Sequence, residues 1–415
     1  MLSWALYDWA SNAFPTIVQT FLFASYFAGR VAPSETLGTT WWGLALGGAG
    51  LFVAFGAPFL GALCDQLGRR KAWIAGLTWL TVLVCGLLWF IKPSPQYVIP
   101  ALLLVALGTV GSELSLVLYN AMLPSLVSRD QIGRWSGWGW GAGYLGGLAC
   151  LGLALFGFVH GEGGWFGVKV AEFQHVRATF PMSAVWLFVF SLPLLLWTPD
   201  SPRADKTFTR AARDAVSQLR RSWAEVRQYM HIVRFLAART CYVDGLATVF
   251  AFGGIYARGT FGMDSSEILG FGIGLNITAG LGAIGFGWVD DRIGGKRTVM
   301  IALVGLIGAG TALLLVHSEL LFWGFAFLLG IFVGPVQAGS RSYLARIAPE
   351  RLHNQAFGLY AFSGKATAFA GPFLVGWITH LSQSQRVGMS TVVVFFVVGL
   401  LLLLSLPRDV QAGRT

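Results

Sequence analysis

Long apolar runs alternate with short polar connections along the whole chain of 415 residues. A transmembrane α-helix needs about 20 predominantly apolar residues, and runs of roughly this length recur twelve times. They lie near residues 4–30, 41–64, 72–91, 97–122, 135–160, 179–198, 235–260, 266–289, 298–316, 319–344, 354–381 and 387–406. The pattern predicts an all-α membrane protein with twelve spanning helices.

An internal repeat relates the two halves of this pattern. Segment 61–71 ends an apolar run in an acid, turns on glycine and restarts behind basic residues, and segment 287–297 does the same. Asp65 and Asp291 correspond at an offset of 226 residues. Two copies at matching places predict two bundles of six helices each, and each copy has the character of a short cytoplasmic hairpin between membrane helices.

Composition and charge support a membrane protein. Hydrophobic residues make up 55% of the chain and charged residues 12%, which is too few to cover a water-soluble surface. The net charge is +10, and most of the 29 Lys and Arg residues fall in alternate connections, including 69–71, 203–239 and 292–297. Under the positive-inside rule both termini are cytoplasmic, so the basic charge faces anionic lipid headgroups rather than a nucleic acid.

The connection between the halves is the longest polar segment of the chain. It covers residues 199–234 and separates an N-terminal bundle, 1–198, from a C-terminal bundle, 235–415. Apolar residues such as Ala212 and Val216 recur within it at spacings of three and four, among several arginines. We predict a basic amphipathic helix on the inner leaflet that tethers the bundles, with regulatory binding as the alternative.

The first residues of the chain and its cysteines allow two further predictions. The first ten residues carry no Lys or Arg, so we expect the first helix to be retained rather than cleaved as a signal peptide.

The cysteines lie in or at the ends of apolar runs without metal-binding spacing, so they predict packing or lipid-facing residues, with no disulfide and no metal. They are Cys64, Cys85, Cys150 and Cys241.

The first helix carries a polar stripe. Asp8, Asn12, Pro15 and Gln19 fall at i, i+4, i+7 and i+11, which places them on one helical face. An ionisable residue inside a span is costly and usually marks a pathway or a paired site. The alternative for these residues is hydrogen bonding between helices.

Further polar candidates lie in the fourth and seventh helices. Glu113 and Asn120 share one face, and Glu113 is a candidate for proton or cation binding, with pairing to a neighbouring helix as the alternative. Asp244 places an acid in the opening helix of the second half. Because the first and seventh helices occupy equivalent positions in a two-bundle transporter, Asp8 and Asp244 are expected to face each other across the cavity.

The eleventh helix contains a lysine at an unexpected place. Gly358 matches Gly137 of the fifth helix at an offset of 221 residues, so Lys365 stands where the repeat predicts a packing residue, Tyr144. A lysine inside a span must find a carboxylate of the protein or of a substrate, or lose its proton. The available carboxylates of the protein are Asp8, Glu113 and Asp244.

Several of these motifs resemble one known family. Residues 7–14 are similar to the Tyr-Asp-Trp-Ala signature of the Atg22-like branch of the major facilitator superfamily, also called UMF1, although Ser11-Asn12 replaces the usual Asn-Ser. Segments 337–342 and 358–365 resemble the tenth and eleventh helices of that family. The resemblance covers nearly the whole chain and implies two six-helix bundles that alternate access around a midplane site.

The resemblance also implies roles for individual residues. In the superfamily, an acid such as Asp65 sits at a helix N-terminus of the opposite half and closes the cytoplasmic side. The gating set so implied is Asp65, Arg69, Asp291 and Arg297, whose alternative role is topology alone. Arg341 lies nearer the cytoplasmic end and is equally suited to gating and to substrate contact. The set assigned to substrate or proton binding is Asp8, Asn12, Glu113, Asn120, Asp244, Gln337 and Lys365.

Three functional interpretations follow. The first is a monomeric secondary transporter of an amino acid or similar zwitterion, driven by protons, in the inner membrane if the chain is bacterial; the fungal members of the family imply export. The second is a proton-driven exporter of amphipathic drugs or lipids, which the departure of Ala142-Gly143 from the exporters' Gly-Pro motif weakens. The third, an enzyme or receptor, lacks a nucleophile, a metal triad or a sensory domain. No cofactor is predicted.

Overall fold

The structure, a computed structural model, describes residues 1–159, 165–202, 206–224 and 228–406. It is built almost entirely of α-helices within these ranges. Four stretches of the predicted organisation lie outside the described residues. They are the end of the fifth apolar run and the residues that follow it (160–164), two parts of the connection between the halves (203–205 and 225–227) and the C-terminal residues 407–415.

The helices are numbered in chain order. Those of the first half are α1 (Leu2–Ser11), α2 (Leu22–Tyr26), α3 (Glu35–Leu67), α4 (Arg70–Leu87), α5 (Val98–Leu126), α6 (Ile132–Ala154), α7 (Gln174–Arg177) and α8 (Thr179–Trp197). The connecting segment and the second half contribute α9 (Phe208–Ala224), α10 (Met230–Phe261), α11 (Ser265–Ile293), α12 (Gly295–Leu315), α13 (Glu319–Ile347), α14 (His353–Lys365), α15 (Ala370–Ser382) and α16 (Gln385–Leu404).

Ten helices of the described part are long and apolar enough to cross a membrane. Two of the twelve predicted runs are instead divided into shorter helices. The first run consists of α1, a π-helical stretch from Pro15 to Phe21, α2 and a second π-helical stretch. The eleventh run consists of α14 and α15 with a turn at 366–369 between them. Twelve spans therefore stay a prediction, and both divided runs carry a candidate site residue.

Helices of the two halves pack closely at one end of the bundle. α3 lies along α14, and α6 lies along α11. A Cβ atom at Gly61 would come within 2.2 Å of the backbone oxygen of Asn354, so only glycine permits this approach of α3 to α14. We call this the linker end, because α9 lies against it; the opposite end, which carries the connections 91–97 and 316–318, is the far end.

The connecting helix α9 packs on the first half. Its Ala211 and Ala215 are fully buried against the C-terminal part of α3, whereas Val216 of the predicted apolar stripe is 41% exposed. Lys206 Nζ lies 2.9 Å from Asp214 Oδ2, and this hydrogen bond lowers the pKa of the Asp214 carboxyl. The helix is therefore held by small residues against protein, with its arginines on other faces.

The cysteines serve packing rather than cross-linking. All are free thiols in this structure. Cys64, Cys85 and Cys150 are buried, and Cys241 is partly buried. The three buried thiols thus lie among packed helices rather than facing lipid.

Candidate functional site

A buried ion pair joins the two halves of the chain. Arg341 Nη1 of α13 lies 3.0 Å from Asp8 Oδ2 of α1, and the two side chains are only 1% and 8% exposed. Arg341 is six residues from the end of α13 and Asp8 is six residues from the start of α1, so the pair lies within about two helical turns of the linker end. Each charge is compensated by the other in a place that water does not reach.

Other polar groups complete the coordination of Arg341. Its Nη1 also donates to Asn120 Oδ1 at 3.0 Å, and its Nε donates to Ser136 Oγ at 2.9 Å. Its Nη2 donates to the backbone oxygen of Ser136 at 2.6 Å. Tyr119 OH donates to Asp8 Oδ2 at 2.9 Å. The guanidinium and the carboxylate are thus hydrogen-bonded on several sides, as a buried ion pair requires.

Aromatic rings and a glycine shape the space around the ion pair. The Arg341 Cζ atom lies 5.0 Å from the ring centroid of Trp4 and 5.7 Å from that of Trp140, distances suited to cation–π attraction. A Cβ atom at Gly139 would come within 2.4 Å of Asp8 Oδ2 and 2.8 Å of Arg341 Nη2. The glycine of α6 therefore leaves the room that the ion pair occupies.

Three further polar residues lie in the first and tenth predicted runs, which correspond to α1 with its π-helical continuation and to α13. Asn12 Nδ2 donates to the backbone oxygen of Asp8 at 3.1 Å, one turn earlier, where Pro15 begins the π-helical stretch. Gln19 Nε2 donates to Thr109 Oγ1 of α5 at 2.8 Å. Gln337 lies one turn before Arg341, and its buried Oε1 makes no hydrogen bond to the described residues. The hydrogen bond of Gln19 thus joins two helices, as the alternative interpretation expected, whereas that of Asn12 stays within its own helix.

A second ion pair joins the halves nearer the middle of the bundle. Lys365 Nζ, at the last residue of α14, lies 2.6 Å from Glu113 Oε1 of α5. Their side chains are 34% and 27% exposed, so this pair is accessible where the first is sealed. Glu113 is the sixteenth of the 29 residues of α5, which places it at the centre of that helix. Of the three candidate carboxylates, Glu113 is the one that Lys365 contacts.

Asp244 stands apart from both ion pairs. It is 2% exposed and lies near the middle of α10. The hydroxyl of Thr367, in the turn between α14 and α15, is beside its carboxylate. Asp8 contacts Arg341 and Tyr119, so the two aspartates have different neighbours. The equivalence expected from the repeat therefore does not extend to their contacts.

The two repeated acids occupy matching sites at the linker end. Asp65 Oδ2 accepts a hydrogen bond from the backbone nitrogen of Gln355 at 3.2 Å, near the N-terminus of α14. Asp291 Oδ1 accepts one from the backbone nitrogen of Arg134 at 3.1 Å, near the N-terminus of α6. Both carboxylates thus interact with the positive end of a helix in the opposite half. The placement agrees with the gate expected from the resemblance; the gating role stays a prediction.

The basic members of the predicted gate are different residues. Arg69 and Arg297 are exposed. Arg69 has a left-handed backbone conformation before α4. Its successor Arg70 donates to the backbone oxygen of Ala121 at 3.3 Å. Near Asp291 the cations are Arg134, 3.4 Å from Oδ2, and Arg346, 3.4 Å from Oδ1. The repeat therefore locates both acids at the contact between halves, and the gating role of Arg69 and Arg297 stays a prediction.

The linker helix takes part in the contact at Asp65. Gln218 Nε2 lies 3.5 Å from Asp65 Oδ2 and 2.9 Å from Gln355 Oε1. Its Oε1 accepts a hydrogen bond from Gln66 Nε2 at 2.6 Å. One glutamine of α9 therefore contacts α3 of the first half and α14 of the second.

Some residues of these contacts were missed in the sequence. Asp290 accepts hydrogen bonds from Ser342 and Arg346, and it stands at the repeat position of Cys64. The sequence signal for this contact is that the second repeat has an acid, Asp290, where the first repeat has a cysteine. Arg239 of α10 is buried, donates to the backbone oxygen of Tyr360 at 2.7 Å and lies over the Tyr360 ring at 3.4 Å from Cζ to the centroid. Arg239 lies close to the start of the seventh predicted run, 235–260, so the sequence pattern groups it with the arginines of the connecting segment.

A model of the family described as "Vacuole effluxer Atg22 like" matches residues 49–414. Among curated proteins, an uncharacterized transporter of the major facilitator type, YxiO of Bacillus subtilis, is 25% identical over 410 residues, covering 98% of this chain and 94% of that protein. Autophagy-related protein 22-1 of Penicillium rubens is 24% identical over 304 residues, covering 68% of this chain and 50% of that protein. The chain thus spans about half the length of this fungal relative.

Among solved structures, the fold is similar to that of the proton:xylose symporter XylE of the major facilitator superfamily. The TM-score is 0.73 at 14% sequence identity, with 97% of this chain and 93% of that chain covered. At this identity the likeness concerns the fold alone. It agrees with the helical architecture described above.

Proposed function

Because the chain belongs to the vacuole effluxer Atg22-like family of the major facilitator superfamily, we propose that it is a secondary transporter of an amino acid or a similar small zwitterion. It is a multi-pass membrane transporter rather than an enzyme. The description of the family as vacuole effluxers supports export as the direction. In a bacterium the membrane would be the cell membrane.

The proposed topology has twelve spans with both termini and the connecting segment in the cytoplasm. The two divided runs, α1 to α2 and α14 to α15, complete the set of spans on this proposal. The distribution of basic residues supports it, because 69–71, 292–297 and the arginines of α9 all belong to the linker end. On this topology the linker end is the cytoplasmic end, and the described contacts between halves represent a conformation closed to the cytoplasm.

The observation that carries the proposal is the accessible ion pair of Glu113 and Lys365. A carboxylate and an ammonium lie 2.6 Å apart, on opposite halves, with each side chain roughly a third exposed. A zwitterion offers the complementary charges, so its carboxylate can replace Glu113 at Lys365 while its ammonium binds Glu113. Substrate binding would then exchange one set of ionic contacts for another at the place where the halves meet, which couples recognition to movement.

We also infer that transport is coupled to protons. Carboxylates inside spans are costly and recur in proton relays of transporters, and three of them, Asp8, Glu113 and Asp244, lie in the described helices. In this proposal Asp8 and Arg341 hold the linker end closed, and they separate when that end opens. The gating contacts of Asp65 and Asp291 act with them.

Counterflow in proteoliposomes tests the proposal. Vesicles containing the purified chain are preloaded with mixed amino acids, and the entry of radiolabelled amino acids is measured. We expect exchange with the natural chain, none with Lys365→Ala, and normal exchange with Lys169→Ala, which removes an exposed lysine near the far end. No exchange of any amino acid by folded protein would contradict the proposal.

A second candidate is a proton-driven exporter of amphipathic drugs or lipids. A cleft of about 770 Å³ between α4, α6 and α8 supports it, because its lining is almost entirely apolar and includes Trp89, Met182 and Trp186. Export of a hydrophobic dye from vesicles, abolished by a polar substitution such as Met182→Gln, is the outcome that this candidate predicts. The zwitterion proposal predicts no dye export.

A further inference from the structure

We propose that Asp244 is the site at which the coupling proton binds, and that the turn between α14 and α15 links it to Lys365. This inference rests on the proposed transport function and specifies the carboxylate that carries the proton. It distinguishes Asp244 from Asp8 and Glu113, which the sequence treats as equal candidates.

Two of the three carboxylates have a cation in direct contact. Asp8 Oδ2 lies 3.0 Å from Arg341 Nη1, and Glu113 Oε1 lies 2.6 Å from Lys365 Nζ. An opposite charge at this distance favours the ionised carboxylate. In this conformation Asp8 and Glu113 are therefore each paired with a cation of the opposite half.

Asp244 has no such partner within contact distance among the residues that the structure describes. Its side chain is 2% exposed, and Asp244 Oδ1 makes no hydrogen bond to the described residues. The hydroxyl of Thr367 is beside the carboxylate, and its oxygen is likewise buried without a hydrogen bond in the described part of the chain. Burial without a cation disfavours an ionised carboxylate. A neutral carboxyl group, by contrast, can donate its proton to the Thr367 hydroxyl.

The charged groups on the surrounding helices either bind other partners or lie near the helix ends. On α10 itself, Arg239 attracts the carboxylate electrostatically but donates to Tyr360 and Ser363, and Cys241 is a neighbour without charge. On α14 and α13, Lys365 and Arg341 bind Glu113 and Asp8. The charged or titratable groups of the other packed helices lie near the helix ends: Glu267, Asp290, Asp291 and Arg292 of α11, His380 of α15 and Arg386 of α16.

The unpaired side-chain oxygens beside Asp244, among the described residues, are those of its own carboxylate and of Thr367. A cation such as Na⁺ or Ca²⁺ takes several oxygen ligands, about six to eight for Ca²⁺. The nearby hydroxyl of Thr248 already donates to the backbone oxygen of Asp244 at 2.6 Å. The carboxylate and the Thr367 hydroxyl are thus the unpaired groups of the described neighbourhood, which suits a proton better than a metal ion.

The position of Thr367 supplies the link to transport. α14 ends at Lys365 and α15 begins at Ala370, so Thr367 lies in the turn that follows the substrate lysine by two residues. Interrupted helices near the middle of the membrane are a recurrent place for substrate and ion sites in transporters. When Lys365 exchanges Glu113 for a substrate carboxylate, the turn changes its position relative to α10. The carboxylate of Asp244 then changes its exposure to water. A proton that it takes up from one side of the membrane is thereby released to the other side.

The test separates exchange from accumulation in proteoliposomes. Exchange of radiolabelled neutral amino acids needs no net proton movement, whereas accumulation against a gradient requires coupling to the imposed pH difference. We expect Asp244→Asn, which keeps the size of the side chain, to retain exchange and to lose accumulation to the level of empty vesicles. Asp214→Asn, on the exposed α9, is the control and should retain both.

Each outcome decides a separate question. No exchange with the natural chain contradicts the transport function, whatever Asp244 does. Normal accumulation by Asp244→Asn, or loss of its exchange together with its accumulation, overturns the assignment of the proton while the transport function stands. A second pair of variants keeps the carboxylate: Thr367→Val should shift the pH dependence of accumulation and Thr248→Val should not. An unchanged pH dependence with Thr367→Val also overturns the assignment.

Discussion

Arg341 of the second half and Asp8 of the first half form an ion pair of 3.0 Å in which the arginine side chain is 1% exposed. Removing one partner of such a pair leaves a buried charge without compensation, which typically costs about 3–5 kcal/mol. A cost of this size biases a two-state equilibrium strongly when only one state buries the unpaired charge. The pair therefore stabilises the conformation in which the linker end is closed.

We expect Asp8→Asn to lower thermal stability and to open the linker end, because Arg341 loses its counter-ion. The measurement is thermal unfolding in detergent together with the distance between spin labels at Arg69 and Arg297, both exposed positions of opposite halves. Asp130→Asn, an exposed acid, is the control. The double variant Asp8→Asn with Arg341→Gln should regain part of the stability, since neither charge remains. A double variant less stable than both single variants would contradict this account.

Gly61→Ala should also open the linker end, for a steric reason. The added Cβ would meet the backbone oxygen of Asn354 at 2.2 Å, which neither helix can relieve without moving apart. Overpacking of this kind usually costs about 1–3 kcal/mol. Gly76→Ala, on α4, is the matched control because nothing lies within 4 Å of its Cβ position. Equal spin-label distances for the two variants would show that the contact of α3 with α14 does not control closure.

Exchanging the charges of the accessible ion pair of Glu113 and Lys365 separates two roles of the pair, which are binding the substrate and connecting the two halves. We expect Glu113→Lys and Lys365→Glu each to lower thermal stability and to abolish exchange, because each places like charges within contact distance. The double variant restores the ion pair and should recover thermal stability. Its exchange should stay deficient, since the groups that bind the carboxylate and the ammonium have changed places. Full recovery of exchange would mean that the pair only connects the halves.

Gln218→Ala should weaken the closed linker end through α9. The substitution removes hydrogen bonds to Gln66 and Gln355, each worth about 0.5–1.5 kcal/mol when formed. We expect the spin-label distances to shift toward the open conformation by less than Asp8→Asn produces. Ser217→Ala, an exposed neighbour on the same helix, should have no effect. An identical result for the two variants would exclude α9 from closure.

Much of the fold was predictable from the chain because membrane helices have a simple requirement. Apolar runs of sufficient length must form helices whose backbone groups bond internally, and ten long helices are found where such runs were predicted. The first and eleventh runs were predicted as continuous. Pro15 and the turn at 366–369 interrupt them, and a proline alone does not specify whether a span continues as a π-helix or ends.

The site was predicted in part. The repeat identified Asp65 and Asp291, and the cost of a buried lysine identified Glu113 among the carboxylates available to Lys365. The partner of Asp8 was not predicted, because Arg341 is distant in sequence and its position near the end of a helix also suited a loop contact. Which arginine binds a repeated acid depends on side-chain direction at a helix start, and Arg69 has a left-handed backbone conformation that its spacing does not reveal.

In the proposed mechanism Glu113 and Lys365 recognise the two charges of a zwitterion together. The most direct test measures how well three molecules with one side chain inhibit exchange by the natural chain: the preferred amino acid, the amine that lacks its carboxyl group and the acid that lacks its amino group. We predict inhibition by the amino acid and far weaker inhibition by either analogue. Inhibition by the amine alone or the acid alone that equals that of the amino acid would contradict it.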